Sequence, residues 1–334
     1  MHSTEVKDSV KNDTNFLRFV AIALIINSHL DDYYPIRYFG TGGAMGNALF
    51  FVLSSFGLFL SEKKNPKPFT AWYTQRIKRI YPAVWIVLVI LTLPYKLYMN
   101  ALDTNNILTF LGYFFYPPFW FLQLLMIFYL LIFPIIKRYS SKIIYYLLIT
   151  LFVLYAFVYL NYLDLSIWSI EENIFLKCIF YFMIFLFGVY LADRQNKIRY
   201  SGLQDWGLLF LSVFLIYGHK FLMLKNMAYS FQFVQQFLLL PFIYYFFKIS
   251  RSGFIQNRIM RLRVTSRIIN YISDITLELY LVHLYALIFI LKLNLLFPVN
   301  IILLLIVTLI ISAFVKFLHL KFFVKNIAQN IIQR

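Results

Sequence analysis

Two ionisable residues, Arg18 and His29, lie in the apolar segment FLRFVAIALIINSHL. Charged and titratable side chains are costly inside a bilayer, so those that occur there usually serve a function. Eleven residues of α-helix bring the two side chains to within about 20° of one face and separate them by about 16 Å. In a functional interpretation, the neutral imidazole of His29 takes a proton from a substrate hydroxyl. The alternative for His29 is an interfacial histidine that helps to end the span.

Acidic and basic residues elsewhere extend this chemistry. Asp32 follows His29 by three residues, within reach if the helix continues, and would then orient the imidazole ring. Alternatively, Asp31 and Asp32 are solvated loop residues. Arg76 and Arg79 are also three residues apart, and paired guanidinium groups suit phosphate because each offers a planar fork of donors. The alternative for these arginines is the ordinary positive charge of a cytoplasmic loop.

Two further apolar segments carry polar residues. Ser54 lies in GNALFFVLSSFGLFL, where its hydroxyl bonds either a neighbouring helix or its own backbone. Glycines at 40, 42, 43 and 46 before this run predict a tight, closely packed turn, and the alternative is a flexible loop followed by a helix. Glu278 lies in ISDITLELYLVHLYAL, where a carboxylate must face protein or water. Tyr280 and His283 share a helix face, whereas Glu278 and His283 are about 140° apart. A structural clamp explains Glu278 as well as catalysis does.

The composition indicates a membrane protein. Of 334 residues, 61% are hydrophobic and only 13% are charged, unlike an average soluble domain. The net charge of +17 is explained by basic loops that face anionic lipid, so we expect membrane lipid as a partner and no nucleic acid. The single cysteine, Cys178, excludes an internal disulfide and a thiolate metal cluster. We expect no metal and no permanently bound cofactor.

Apolar runs of bilayer length predict an all-α, polytopic membrane protein with about ten transmembrane helices. The predicted spans are 16–30, 42–60, 80–99, 119–136, 142–161, 174–192, 206–223, 228–248, 275–292 and 297–318. Two loops rich in arginine and lysine, 61–79 and 248–270, are predicted to be cytoplasmic, and alternation of the spans makes both termini cytoplasmic.

The loops on the opposite side are mostly acidic or neutral. The acidic residues there are Asp31, Asp32, Asp103, Asp164, Glu171 and Glu172. His219, Lys220 and Lys225 fall on the same side, and the positive-inside rule does not account for them. No loop is long enough to form a soluble domain. We therefore expect a cytoplasmic segment at 1–15, one transmembrane domain at 16–320 and a cytoplasmic tail at 321–334.

Five short motifs follow one another along the chain. They are Leu17, Arg18, Ala21 and His29; Gly46 and Phe50-Phe51-Val52-Leu53-Ser54; Arg76, Arg79, Ile80 and Pro82; Trp120, Leu122, Phe128, Tyr129 and Pro134; and Thr276, Tyr280, Leu281 and His283. In this order they resemble the acyltransferase 3 family of bacterial integral-membrane O-acyltransferases. The chain departs from the family at Ser55, where glycine is usual, and at Ala48, where many members carry an acid. Leu125 and Met126 occupy positions where many members have glutamate after the tryptophan and leucine of the fourth motif.

The resemblance implies an acyltransferase of the bacterial cytoplasmic (inner) membrane. Such an enzyme transfers an acyl group, most often acetyl from acetyl-coenzyme A, to a hydroxyl of a cell-surface polysaccharide or lipid-linked sugar. The site would contain the catalytic residues His29 and Asp32, the donor-binding residues Arg18, Arg76 and Arg79, and the lining residues Ser54, Trp120, Glu278, Tyr280 and His283. Whether His29 is a general base or carries the acyl group itself stays open.

Three other classes of protein share some of these features. An exporter of polysaccharide or lipid-linked saccharide would have the same spans, but it would not need an arginine and a histidine aligned toward a donor. A polysaccharide polymerase would be expected to have a large outer loop rich in arginine, which this sequence lacks. A purely structural membrane partner is the third alternative, since the FFVLSS segment departs from the family motif.

Overall fold

The computed structural model describes residues 2–99, 112, 114–115, 117–162, 173–225 and 231–324. Within these ranges the chain is helical and contains no strand, which confirms the all-α prediction. The helices are α1 His2–Asn27, α2 Gly43–Lys64, α3 Phe69–Val87, α4 Leu93–Tyr98, α5 Trp120–Lys137, α6 Ser141–Tyr162, α7 Ile174–Arg194, α8 Leu203–Leu224, α9 Gln232–Phe237, α10 Leu239–Ser250, α11 Arg263–Asp274, α12 Thr276–Leu291 and α13 Val299–His319. The predicted acidic loops around Asp103 and Asp164 lie outside the described residues.

Helices form along the apolar runs because a helix satisfies its own backbone hydrogen bonds, which lipid cannot do. The start of α7 shows how a polar residue fixes a boundary. The Asn173 side-chain oxygen accepts hydrogen bonds from the backbone N–H groups of Phe175 and Leu176, both at 3.1 Å. These bonds satisfy two of the donors that the first turn of a helix leaves free.

Eight helical segments of the described chain are long and apolar enough to cross a membrane, or nine if the bent pair α11 and α12 forms one span. The chain is therefore a multi-pass membrane protein, as expected. Nine of the ten predicted spans coincide with these segments. The tenth, 16–30, lies largely in α1, whose first half is polar and charged and whose apolar part is short. The count of ten and the cytoplasmic location of both termini stay predictions.

The packing divides the chain into two compact units, and neither is continuous in sequence. Unit 1 contains Met1–Ala21, Ala44–Lys67 and Ile127–Asn270, as far as these are described. Unit 2 likewise contains Ile22–Gly43, Pro68–Met126 and Tyr271–Arg334. Helix α1 contributes to both. The prediction of one transmembrane domain at 16–320 stays a prediction, as do the flanking segments at 1–15 and 321–334.

The core of unit 1 is aromatic. Phe51 on α2 packs against Phe128 on α5 and Tyr181 on α7, with ring centroids 5.3 and 5.0 Å apart. All three side chains are buried. A buried ion pair joins α8 to α10, where the Lys248 ammonium lies 2.6 Å from the Asp205 carboxylate. Pairing of this kind is what permits a charge to be buried in an apolar bundle.

A close approach between α2 and α7 explains how unit 1 accommodates Ser55. The Ser55 side chain is fully buried, and its hydroxyl donates a hydrogen bond to the Val52 carbonyl at 3.1 Å. Gly188 lies directly opposite, where a Cβ atom would meet the Ser55 hydroxyl and the Val52 backbone. The serine that replaces a usual glycine on one helix therefore fits because the facing helix has a glycine.

Unit 2 is organised around α12 and α13, which pack along each other and against α3. Ala286 and Ile290 of α12 form a buried cluster with Leu304 of α13. Leu30 and Tyr33, which follow α1, belong to the same cluster. The segment that follows α1 is thereby attached to the last two long helices.

Candidate functional site

His29 lies in a turn immediately after α1, which ends at Asn27. Its backbone N–H donates to the Ile26 carbonyl at 3.1 Å. The Asn27 side chain fixes this turn, because its amide donates to the carbonyls of Phe39 and Thr41 at 2.8 and 2.9 Å. The turn is therefore held by hydrogen bonds to the chain that leads into α2.

Glycines allow that chain to lie against the His29 turn. A Cβ atom at Gly40 would meet the Asp31 backbone, and one at Gly43 would meet the Ser28 side chain. Gly42 has a φ of 107°, a conformation that side chains rarely adopt. The prediction of a tight, closely packed turn before α2 is confirmed.

The structure brings His29 to His283 of α12. Their ring centroids are 5.3 Å apart, so a nitrogen of one ring can reach the other directly or through one water. The Nδ1 atom of His283 lies 2.7 Å from the Tyr280 carbonyl. A carbonyl only accepts, so Nδ1 carries the proton and Nε2 is an acceptor. Among the described residues this Nε2 is buried and has no hydrogen-bond partner.

The His29 ring keeps an exposed face, but its surroundings still affect its protonation. Partial burial lowers the pKa of His29 below its ordinary value, and the Asp31 carboxylate opposes this shift. The ring is therefore mainly neutral near pH 7, as a base or nucleophile requires.

Asp32 does not have the geometry on which its predicted role depended. The helix ends at Asn27, so the condition that it continue past His29 is not met. Asp32 instead pairs with Arg37, with an oxygen-to-nitrogen distance of 2.9 Å and an exposed side chain. Asp31 is the carboxylate that acts electrostatically on His29. A catalytic role for Asp32 stays a prediction.

A series of aromatic contacts leads from His283 to Trp120 in unit 2. The Tyr280 ring centroid lies 5.8 Å from that of His283, as expected for two residues on one helix face. Phe121 of α5 packs against Tyr280 at 5.3 Å, and Trp120 lies beside Phe121 at 6.1 Å. The predicted lining residues Trp120 and Tyr280 are thus linked through Phe121.

The two arginines predicted to bind the donor lie on α3 in unit 2. The Arg76 guanidinium stacks over the ring of Trp72 at 5.0 Å and is half-buried. Arg79, three residues on, is exposed. One arginine of the pair is therefore held by an aromatic ring, while the other presents its guanidinium to the surroundings.

The remaining predicted site residues, Arg18 and Ser54, belong to unit 1. Arg18 lies on α1 and is half-buried. Ser54 shares a hydrogen bond of 2.8 Å with the Tyr129 hydroxyl, which joins α2 to α5. Of the two roles considered for Ser54, a bond to a neighbouring helix is confirmed.

Glu278 is buried and contacts two residues that sequence reasoning missed. Its Oε1 atom lies 3.2 Å from the Lys316 ammonium and 3.7 Å from Nδ1 of His319, both on α13. The carboxylate therefore links α12 to α13. A signal was present in the sequence, since polar residues recur at 308, 312, 316 and 319 within an apolar run. Within the described residues, no group of three or more histidine, cysteine or acidic side chains is arranged to hold a metal ion.

Comparison with known proteins adds one match. A family model, acyltransferase 3, described as an acyltransferase domain, matches residues 12–317. The match extends from α1 to α13 and confirms the resemblance carried by the five sequence motifs. No curated protein and no solved structure matches the chain.

Proposed function

The chain belongs to the acyltransferase 3 family, and from this we propose that it is a membrane O-acyltransferase. We propose acyl-coenzyme A as the class of donor and acetyl-coenzyme A as the donor of this chain. The acceptor is a hydroxyl of a cell-surface polysaccharide or a lipid-linked sugar. The observation that carries the proposal is His29, a mainly neutral imidazole in a fixed turn beside the buried His283, in a chain matched by an acyltransferase model over 12–317.

In the first version of the mechanism, His29 is a general base. It takes the proton of the acceptor hydroxyl as the oxygen attacks the thioester carbonyl. The carbon–sulfur bond then breaks, and the departing thiolate takes the proton from the imidazolium. The products are an ester and free coenzyme A, and the histidine returns to its neutral form.

In the second version, His29 is the nucleophile. Its unprotonated ring nitrogen attacks the thioester carbonyl, the carbon–sulfur bond breaks, and coenzyme A leaves with the proton of the other ring nitrogen. The acceptor hydroxyl then attacks the acyl carbonyl, the bond between that carbon and the ring nitrogen breaks, and the hydroxyl proton returns to the imidazole. In both versions His283 lies next to the reacting ring with its Nε2 atom available as an acceptor. This neighbour favours one orientation of His29.

The three arginines bind the donor or neutralise its charge. Arg76 and Arg79 bind its phosphates, since guanidinium groups match phosphate oxygens in a planar fork. Arg18 neutralises negative charge along the donor's path. We place the enzyme in the bacterial cytoplasmic membrane, with the loop 61–79 and the donor on the cytoplasmic side.

The experiment measures release of coenzyme A from acetyl-coenzyme A by the purified protein in nanodiscs, with envelope glycans of the host strain as acceptor. The test variant is His29→Ala, and the matched control is His219→Ala, a histidine on α8 of unit 1. We expect a loss of about 100-fold or more in His29→Ala, because acid–base catalysis contributes about 10²- to 10⁴-fold. His219→Ala should retain activity.

The outcomes separate the alternatives. Full activity of His29→Ala would overturn both versions of the mechanism. Labelled acetyl retained on the wild-type protein in the absence of acceptor, but not on His29→Ala, would identify the nucleophile version. A wild-type protein that neither binds acetyl-coenzyme A nor releases coenzyme A would favour an exporter without acyl transfer.

A further inference from the structure

A pocket of about 370 Å³ opens between α6 and α7 of unit 1, and none of the residues assigned to acyl transfer lines it. It lies between the first two turns of α6 and the end of α7. Pockets that bind small molecules measure about 300–1,000 Å³, so this one is large enough for a ligand. Its lining includes Ser141, Lys142, Tyr145, Tyr146, Tyr190 and Arg194.

Helices α6 and α7 run antiparallel, which places the pocket at one end of both. The start of α6 and the end of α7 share the pocket. Further along, Tyr155 of α6 packs against Phe180 of α7 with ring centroids 6.5 Å apart. The pocket therefore lies at the membrane surface where α6 begins and α7 ends.

The same end of unit 1 adjoins the basic loop at 61–79. Lys63, near the end of α2, forms an ion pair of 3.0 Å with Asp193, the residue next to Arg194. This ion pair places the pocket on the side of the membrane to which that loop belongs. The loop is predicted to be cytoplasmic, and the cytoplasmic leaflet has a negative surface potential.

The pocket is positively charged. Two of its lining side chains, Lys142 and Arg194, are basic, and none of the described side chains that line it is acidic. One oxygen of Asp193 pairs with Lys63 at 3.0 Å, and the other lies 3.9 Å from the Arg194 Nε atom. The second distance is longer than a hydrogen bond. The Arg194 guanidinium therefore has N–H groups to offer to an anion.

The rest of the lining suits a lipid. Tyr145 and Tyr146 are 62% and 64% exposed, and tyrosine is enriched where the apolar core of a bilayer meets its headgroups. Ile144 and Leu148 line the pocket deeper in the span. From Ser141 to Leu148 the helix rises about 10 Å, more than the headgroup region of about 5–8 Å on each side of a bilayer. The pocket therefore covers the level of the headgroups and the upper part of the acyl chains.

Helix α6 faces lipid along its length. Only 11% of its apolar window is buried inside the protein, compared with 61% for α7. Further along α6, Val153, Phe157 and Leu160 are 61%, 54% and 80% exposed. A membrane lipid therefore has direct sideways access to the pocket from the bilayer.

We propose that the pocket binds the phosphate headgroup of an anionic phospholipid of the cytoplasmic leaflet. Arg194 holds the phosphate through its planar fork of donors, and Lys142 contributes a second positive charge. The hydroxyls of Ser141 and Tyr190 donate to the remaining phosphate and glycerol oxygens. An acyl chain packs against the deeper apolar lining. This site goes beyond acyl transfer, and lipid binding there is measured without that activity.

The test measures the lipid retained by the protein, by native mass spectrometry, on release from nanodiscs of equal parts phosphatidylglycerol and phosphatidylcholine. The test variant is the double substitution Lys142→Gln and Arg194→Gln. The matched control is Lys197→Gln with Arg199→Gln, which removes two charges from exposed residues that follow α7 and do not line the pocket. A third variant, Lys142→Arg with Arg194→Lys, keeps both charges.

We expect the wild-type protein to retain phosphatidylglycerol in preference to phosphatidylcholine. Each basic side chain near an anionic lipid surface strengthens the attraction about 5-fold, so the double variant should lose about 25-fold in relative affinity for phosphatidylglycerol. The control variant should retain this lipid as the wild-type protein does, and the charge-exchanged variant should keep most of the preference. Melting temperatures in phosphatidylcholine alone report whether each variant folds. The single variants, with about 5-fold losses, replace the double variant if that protein does not fold.

Three results would overturn the inference. Equal retention of the two lipids by the wild-type protein would show that the pocket does not select an anionic headgroup. An equal loss in the control variant would show that general surface charge attracts the lipid. Release of phosphatidylglycerol by inorganic phosphate, but not by sodium chloride of equal ionic strength, would assign the pocket to a soluble phosphate compound instead.

Discussion

Gly188 on α7 faces α2 with no room for a side chain. A Cβ atom at this position would meet the Ser55 hydroxyl, the Val52 carbonyl oxygen and the Val52 Cα. Two of these three atoms belong to the backbone and cannot rotate away. Gly188→Ala is therefore expected to push α2 and α7 apart.

The magnitude follows from two opposing terms. Overpacking against a backbone costs up to about 3 kcal/mol, and alanine gains about 1 kcal/mol over glycine in a helix. The free energy of unfolding should therefore fall by up to about 2 kcal/mol. The matched control is Gly57→Ala on α2, where no atom lies within 4 Å of the new Cβ. This control should gain up to about 1 kcal/mol.

The assay is denaturation of the detergent-solubilised protein, followed by tryptophan fluorescence. A second variant separates side chain from backbone: Ser55→Gly in the Gly188→Ala protein removes one of the three contacts and leaves the Val52 backbone in place. It should recover only a minor part of the lost stability. The packing argument is wrong if Gly188→Ala is as stable as Gly57→Ala, or if Ser55→Gly restores wild-type stability.

Two further predictions concern charge. Burial lowers the pKa of His29, and in the proposed mechanism the neutral ring is the active form. The value of kcat/KM should therefore be constant at neutral pH and fall as pH drops through a value below about 6.5; an acid limb centred at or above that value would contradict this. Lys248→Met leaves the Asp205 carboxylate, 1% exposed, without its counterion, so thermal unfolding should show a loss of about 3–5 kcal/mol. Adding Asp205→Asn should restore most of that loss, and a single variant as stable as the double variant would refute the assignment.

The sequence predicts the fold well because the signals for it are local. Apolar runs of bilayer length give the helices, and the glycines at Gly40, Gly42 and Gly43 predict the tight turn before α2. The span at 16–30 is the exception, since charge at the start of α1 and Arg18 shorten its apolar part. The prediction for Asp32 assumed a continuing helix, whereas side-chain bonds from Asn27 hold the chain in a turn.

The candidate site is less predictable because its contacts are distant in sequence. His29 follows the first helix and His283 lies on α12, 254 positions apart, so no local spacing relates them. Polar residues visibly recur along α13 in the sequence, but the sequence does not show that one of them, Lys316, lies opposite Glu278 of α12. Spacing on one helix, as for Tyr280 and His283, was sufficient to place two residues together.

The turn that carries His29 is completed by parts of the chain that are synthesised much later. The Tyr33 carbonyl accepts a hydrogen bond from the Asn300 side chain, 267 residues later, and the Tyr33 hydroxyl donates to the Leu287 carbonyl. At about 5–20 residues per second of translation, the turn waits about 13–50 seconds for these partners. A nascent chain interrupted before α13 has His29 but not its surroundings. In the proposed mechanism, activity therefore requires α13 to be inserted as well as α1, and loss of α13 would remove the contacts that fix the His29 turn.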